Sequence, residues 1–574
     1  MNPLARLIAP ITLATALSAC ASLPPAETAP VAAPQPVTLR IIGTNDFHGN
    51  LEPLRRAANI THGDGSVEEV RVGGLAAYAA AIKHLRAQDE FSLVIGAGDM
   101  IGASPLVSSL FLDEPTVTGL SAMGLDFTAV GNHEFDRGWR ELRRMKDGGC
   151  EKFTTRQPCA VEPFAGANYQ ILSASTYFEE SAEPLFPASA IKTFDQGGHG
   201  FSVGVIGLTL EETPTLVTPS GVSGLIFTDE AETINAEVAR LAEQGVETIV
   251  VAIHQGLYSD LPYDAPGCDG INGPLLDILA QIDPRVDLVI SGHTHQVYVC
   301  DYSSIDPTRH VLVTSAGYGG AYVTDIALTI DPANDEVIAS TARNVLVRAD
   351  GSVSGQLDDA ASTHVSRYVA ASQAAAERPV GRISGDAHDP GPATEETSLG
   401  NAIADAQLFA TRDAGAQIAF MNNSGIRTAI EADADGTVTF ADIYAVQPFG
   451  NTLITRTYSG AQLLALLEQQ FDDDGFVQTF SASEGFVLSY DLERPVGQRV
   501  VSVTLNGQPI DPAASYRITM NSFLAAGGDS FTIFEDGTDS VIGPVDLEAM
   551  EAWLAAEDIR VLPPLGRITD LTEK

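Results

Sequence analysis

Potential metal-ligating side chains follow apolar runs at five places in the first 300 residues. Asn45, Asp46 and His48 come after TLRIIGT, Asp99 after FSLVIGAG, and Asn132 and His133 after FTAVG. His254 follows TIVVAI, and His293 and His295 follow VDLVISG. A single histidine in such a place is more often a capped or hydrogen-bonded structural residue. Five of the chain's eleven histidines there, alternating with aspartates, point instead to a metal centre. Mixed Asp, Asn and His donors without cysteine suit Zn, Mn or Fe better than Ca or a thiolate cluster. Two such ions about 3.5–4 Å apart hold the attacking and leaving oxygens of an in-line phosphoryl displacement. The chemistry implied is metal-assisted hydrolysis of a phosphoester.

The ligands run from residue 46 to residue 295, so the fold must gather them. TLRIIGT, FSLVIGA, FTAV, FSVGVIGLT, TIVVAI, VDLVIS and HVLVTSA read as buried strands, rich in β-branched residues and bounded by turn residues. Amphipathic stretches such as LAAYAAAIKHLRAQ and DEAETINAEVARLAEQG lie between them, the latter with Asp229 as N-cap and Gly245 as C-cap. This is an α/β pattern, and in such sheets ligands gather beyond the carboxyl ends of the strands. Residues 356–377 read as a connecting helix. After about residue 380 the texture becomes α+β, with a hairpin signal at Asn506-Gly507.

The chain has 574 residues, 44% of them hydrophobic, enough for more than one core. Its formal net charge of −43 excludes nucleic-acid binding through phosphates, which needs Lys and Arg to displace counterions. An anionic substrate would need local positive charge, which metal ions supply. Residues 1–19 read as an export signal, and LSAC at 17–20 resembles a bacterial lipobox, with Cys20 the lipidated residue. Residues 20–37, rich in Pro and Ala, form a tether. The expected location is the cell envelope, facing the periplasm, with a monomer or weak dimer held by its lipid. Cys150, Cys159, Cys268 and Cys300 allow three disulfide pairings; proximity in sequence favours 150 with 159 and 268 with 300.

The ordered series DFH, GD, GNHEFD, HQG and GHTH resembles the calcineurin-like metallophosphoesterases. With the second half of the chain it is similar, over residues 38 to 570, to the 5′-nucleotidase / UDP-sugar hydrolase family. The resemblance implies a four-layer α/β/β/α sandwich over 38–350, a connecting helix over 351–380, and a smaller α+β substrate-binding domain over 381–574. It implies two divalent ions, Zn, Mn or Fe. One would be held by Asp46, His48, Asp99 and His295, with Asp99 bridging to a second held by Asn132, His254 and His293. It assigns His133 and Asp136 to the catalytic dyad beside in-line attack of a metal-activated hydroxide. Glu134 is read as scaffold, and His62, His84, His199, His310, His364 and His388 fit no motif.

In MNNSGIR, QPFGN and NSFLAAGGDSF, the resemblance implies a base sandwiched by Phe449 and Phe523, with Asp529 accepting from ribose hydroxyls. Asn422, Arg427 and Asn451 would contact base or phosphate. One departure stands out: Ala393 occupies a position where the family usually has an arginine for the substrate's anionic group. Arg427 would carry that task alone, or Arg382 would reach in. The expected substrates are nucleotides, 5′-nucleoside monophosphates first. The alternatives are 2′,3′-cyclic nucleotides, UDP-sugars or another phosphoester, and a non-catalytic nucleotide-binding lipoprotein.

Overall fold

The computed structural model describes residues 35–572 except 56, 155, 197–198, 332, 386, 388–394 and 473–477. The export signal, Cys20, most of the tether, His388 and Ala393 therefore lie outside the described residues.

Two six-stranded sheets form the centre of the first half. One runs Glu336–Leu346, Tyr322–Asp331, Val37–Thr44, Phe91–Ala97, Phe127–Ala129, Gln170–Leu172. The other runs Val297–Asp301, Leu312–Ala316, Leu288–Ser291, Thr248–Ile253, His199–Leu208, Ser189–Gln196. Their facing surfaces share one core, in which Leu39, Ile41, Leu93 and Ile95 meet Val203, Val205, Val250 and Ile290. Helices Leu75–Arg86 and Glu114–Met123 cover the outer face of the first sheet, and Glu230–Glu243 covers that of the second. This is the α/β/β/α sandwich implied by the resemblance. Strands buried on both faces must be apolar at every position, which is why they read as uninterrupted runs.

Each sheet keeps a parallel central set, 37–44, 91–97, 127–129 and 170–172 in one, 199–208, 248–253, 288–291 and 312–316 in the other. Their carboxyl ends therefore point the same way within each sheet. An aspartate fixes register in both. Asp126 donates its N–H to Val94 O and accepts from Val94 N, and Asp287 does the same with Ile249. Burial, with Glu247 adding to it, pushes the Asp287 carboxyl up to about 7. A carboxyl raised on folding disfavours its charged form in the native state. The resulting penalty is absent below the unfolded pKa near 4 and complete above about 7. Asp287→Asn keeps an acceptor for the Ile249 N–H without the charge. Its melting temperature should exceed that of the parent by roughly 2–4 °C at pH 8, and by nothing at pH 4, in thermal melts across that range.

Helix Asp359–Ala376, capped by Asp358 accepting from Ala361 N, packs on helices 75–86 and 114–123 and touches Phe440–Val446 of the second half. There a five-stranded mixed sheet runs Phe480–Ala482, Ile418–Asn422, Ser515–Asn521, Thr452–Ser459, Thr538–Val545. Asn506 and Gly507 both have positive φ, 51° and 74°, and turn Val500–Leu505 back onto Gln508–Pro509 as the hairpin signal foretold. The disulfides are Cys150 with Cys159 and Cys268 with Cys300, the pairing favoured by proximity. Among the described residues, no helix is long and apolar enough to cross a membrane.

Candidate active site

Asp46, His48 and His295 place ligand atoms within 4.8 Å of one another, and so do Asp46, Asp99 and His254. All four of Asp46, His48, Asp99 and His254 are fully buried. The loops that present them are strained: Asp46, His48, Asp99, His293 and His295 have φ between 45° and 70°. Side chains rarely adopt that region, and such residues gather where surrounding structure holds them for function. The Asp99 Oδ2 lies 3.6 Å from His48 Nε2 and 3.0 Å from His254 Nε2, between the two groups. Asn132 Oδ1 is 3.1 Å from the same His254 nitrogen, and the His293 ring is 5.3 Å from the His254 ring. His48 and His254 direct Nδ1 to the carbonyls of Gly102 and Ala97, so both turn Nε2 inward.

These residues fit a pair of divalent cations. The donor set is carboxylate, imidazole and carboxamide, and the buried His48 Nε2 has no hydrogen-bond partner among the described residues. The electrostatics agree. Burial works to raise the Asp99 carboxyl, but His254, His133 and His48 outweigh it and hold it well below the usual range. Burial works to lower His254, but Asp99 and Asp46 outweigh it and carry the ring to about 10. Burial pushes His293 down to about 4 and His295 down to about 3, so both rings are neutral at pH 7. The two buried carboxylates thus draw positive charge to this place, and the raised His48 and His254 imidazoles answer it.

His133 opens a single 3-10 turn, His133–Phe135, directly after the strand 127–129. Its Nδ1 is 3.0 Å from Asp136 Oδ1, and Asp136 Oδ2 accepts from Ala103 N at 2.8 Å. The His133 N–H donates to Asp99 Oδ1 at 2.8 Å. Gly102 has φ +88°, and a Cβ there would sit 2.1 Å from the His133 carbonyl oxygen. Glu134 is turned the other way, into the protein. Its carboxylate accepts from Gly131 N at 2.7 Å, Asp99 N at 2.8 Å, Met100 N at 2.8 Å and Ile101 N at 3.4 Å. Burial, with Asp99 nearby, raises that carboxyl to about 8.

The second half closes over this floor. The Phe449 ring stacks on His133 at 5.7 Å and 15°. The positive charge of Arg427 is felt by His48, His295 and Asp529, and its Nη1 donates to the Ser424 carbonyl at 3.5 Å. Asp529 Oδ2 accepts from Asn422 Nδ2 at 2.9 Å and Ser424 Oγ at 2.7 Å, and burial raises its carboxyl. Phe523 lies against Gly528, where a Cβ would be 2.5 Å from the ring. Asn451 accepts from Ser522 Oγ through Oδ1 and donates its backbone N–H to Asp546. Arg55 pairs with Asp442 at 2.6 Å, and Arg156, from the disulfide-closed loop 150–159, lies over the Tyr444 ring.

Family models match both halves: calcineurin-like phosphoesterase over residues 39–297, and 5′-nucleotidase, C-terminal domain, over residues 379–536. The chain belongs to the calcineurin-like phosphoesterases that carry a 5′-nucleotidase C-terminal domain. It is 31% identical to Endonuclease YhcR of Bacillus subtilis over 91% of its own length, but spans only 40% of that protein. It is 28% identical to a 5′-nucleotidase of Vibrio cholerae, covering 97% of this chain and 99% of the relative. The crystal structure of a 5′-nucleotidase precursor from Thermus thermophilus superposes with a TM-score of 0.74 at 26% identity, over 94% of this chain and all of the other.

In this phosphoesterase the ligand groups share Asp46, whereas the resemblance gives the bridge to Asp99. The position of Asp99 Oδ2 between His48 and His254 is compatible with both. Arg382 does not reach the cleft, since its guanidinium is engaged by the Asp435 carbonyl. Tyr318, and Asn45 already noted after the first apolar run, also border the ligand cluster. The Tyr318 ring lies 4.6 Å from His295 and 5.3 Å from His48, on the GYGG turn that ends the strand 312–316. The signal for Tyr318 was the last of the seven apolar runs, HVLVTSA, ending at the same sheet edge. Asn45 donates to Asp46 Oδ2 at 2.7 Å and accepts from Ala316 N, steering the carboxylate from behind.

Proposed function

We propose that the chain is a metal-dependent phosphohydrolase of nucleotides, with 5′-nucleoside monophosphates as preferred substrates. The observation that carries the reading is the stack of Phe449 on His133, which puts an aromatic face of the second domain directly over the ligand cluster. Asp46, His48, Asp99 and His295 would hold one divalent cation and Asn132, His254 and His293 a second, with Asp99 between them. Bound there, two cations supply Lewis acidity and an acidified water for in-line displacement at phosphorus.

The protein's own part is orientation and charge. Asp136 accepts from His133 Nδ1–H, so the imidazole presents Nε2 to the phosphoryl and leaving oxygens, where donated hydrogen bonds stabilise developing charge. Arg427 offers the cation that Ala393 lacks. Phe449 and Phe523 take a base by stacking, which tolerates base identity, and Asn422 and Ser424 hold Asp529 toward sugar hydroxyls. The same reading places the protein in the cell envelope, anchored by lipid at Cys20 and facing the periplasm.

A second reading rests on Ala393: with one arginine fewer for the anionic group, 2′,3′-cyclic nucleotides or UDP-sugars compete for the cleft. A panel of AMP, a 2′,3′-cyclic nucleotide, UDP-glucose and an aryl phosphate, assayed with Mn and with Zn, separates the two. The expected outcome is the highest kcat/KM for AMP. Mature protein that releases no phosphate from any 5′-nucleotide with either metal would sink the proposal.

A further inference from the structure

The cleft contains a polar side chain to which neither the resemblance nor the ligand cluster gives a task. Gln478 is 1% exposed, yet neither Oε1 nor Nε2 has a hydrogen-bond partner among the described residues. Buried amides are nearly always paired, because an unpaired one forfeits its hydrogen bonds to water without replacement. A glutamine kept in that state is explained when a ligand completes it.

The register places it. Strand Phe480–Ala482 pairs antiparallel with Ile418–Asn422, Phe420 opposite Ala482 and Asn422 opposite Phe480. Continued by one residue, Asn423 meets Thr479, and Asn423 Nδ2 does donate to Thr479 Oγ1 at 3.2 Å. Gln478 immediately precedes Thr479, and Ser424 immediately follows Asn423, its hydroxyl donating to Asp529 Oδ2. The Gln478 amide is thus within reach of the Asp529 carboxylate, whose charged form it favours against burial. Asp529 and Ser530 hold φ of 53° and 64°, two consecutive strained residues that fix the carboxylate against this strand.

The two side chains are complementary as a pair. A carboxylate only accepts, whereas an amide both accepts and donates. Two neighbouring hydroxyls can donate one O–H to Asp529 and one to Gln478 Oε1, while Nε2–H donates back to a hydroxyl oxygen. We propose that Gln478 is a specificity-determining residue that reads, together with Asp529, the vicinal diol of a ribonucleoside. This rests on the reading that the cleft takes nucleotides. It predicts discrimination against deoxyribose, because a site built to bond a hydroxyl leaves its own groups unpaired when the hydroxyl is missing.

The test uses the full mature protein with metal, as parent, Gln478→Met and Gln478→Asn. Methionine matches the length without the amide, and asparagine retains the amide one carbon short, should the first variant not fold. Parent enzyme should turn over AMP with kcat/KM about tenfold above 2′-deoxy-AMP and 3′-deoxy-AMP. Gln478→Met should melt at or above the parent temperature, lose roughly tenfold on AMP through KM, and bring the ribo/deoxy ratio close to one. Adenosine binding by calorimetry, without metal, should weaken by the same factor. A variant that melts like the parent and keeps its ribo/deoxy ratio overturns the inference while leaving nucleotide hydrolysis intact. So does a variant that melts lower and loses both sugars alike, the mark of a structural role. A parent that neither hydrolyses AMP nor binds adenosine overturns the functional reading and this inference with it.

Discussion

His133→Ala lowers kcat on a nucleotide by roughly 100- to 10,000-fold while the protein keeps its metal, the range for loss of one positioned proton donor. The geometry separates the two effects. The His133 ring belongs to neither ligand group, and its contact with Asp99 runs through the backbone N–H, which alanine retains. Asp99 therefore stays where it is when the imidazole goes. Metal content by mass spectrometry and kcat measured on the same preparation check the prediction. Loss of metal, or a rate within threefold of the parent, would contradict it.

Asp99→Asn has the second large effect, on metal rather than on rate alone. One carboxylate oxygen stands between His48 and His254 and the other holds the His133 N–H. Asparagine removes the charge from both tasks with almost no change in shape. The parent should gain stability with metal as RT ln(1 + [M]/Kd), about 4 kcal/mol at a thousandfold excess over Kd. Asp99→Asn should lose most of that metal-dependent rise in Tm, and turnover with it. Melts of parent and variant with and without Mn provide the comparison, and an undiminished rise in the variant would show that Asp99 is not a ligand.

The metal-binding candidates were legible because parallel strands buried on both faces write themselves as apolar runs, so whatever polar group follows stands at a strand's carboxyl end. The helix cap at Asp229 and the turn at Asn506-Gly507 were legible because their chemistry is local. Tyr318 was not, since GYGG reads as a turn whatever its ring touches. Gln478 was not, because its meaning lies beside Asp529, about fifty residues later in the chain. The direction in which Arg427 points depends on how two domains meet, and Arg382 looked equally suitable until its carbonyl partner was seen. Asp126 and Asp287 show a further limit: each precedes a strand and pins the register of another, 32 and 38 residues before it.

Glu134 sits in the motif as an apparent bystander, yet its one carboxylate gathers the N–H groups of Asp99, Met100, Ile101 and Gly131 from two separate loops. Those loops carry a metal-ligand candidate and the imidazole proposed as catalytic. Tied to a common anchor, and to each other through the His133 N–H on Asp99, they share whatever displacement either suffers. Their alignment is differential: a breathing motion of the sheet shifts both positions together and leaves the vector between them unchanged. The site thereby tolerates movement of its platform without losing the spacing between Asp99 and His133.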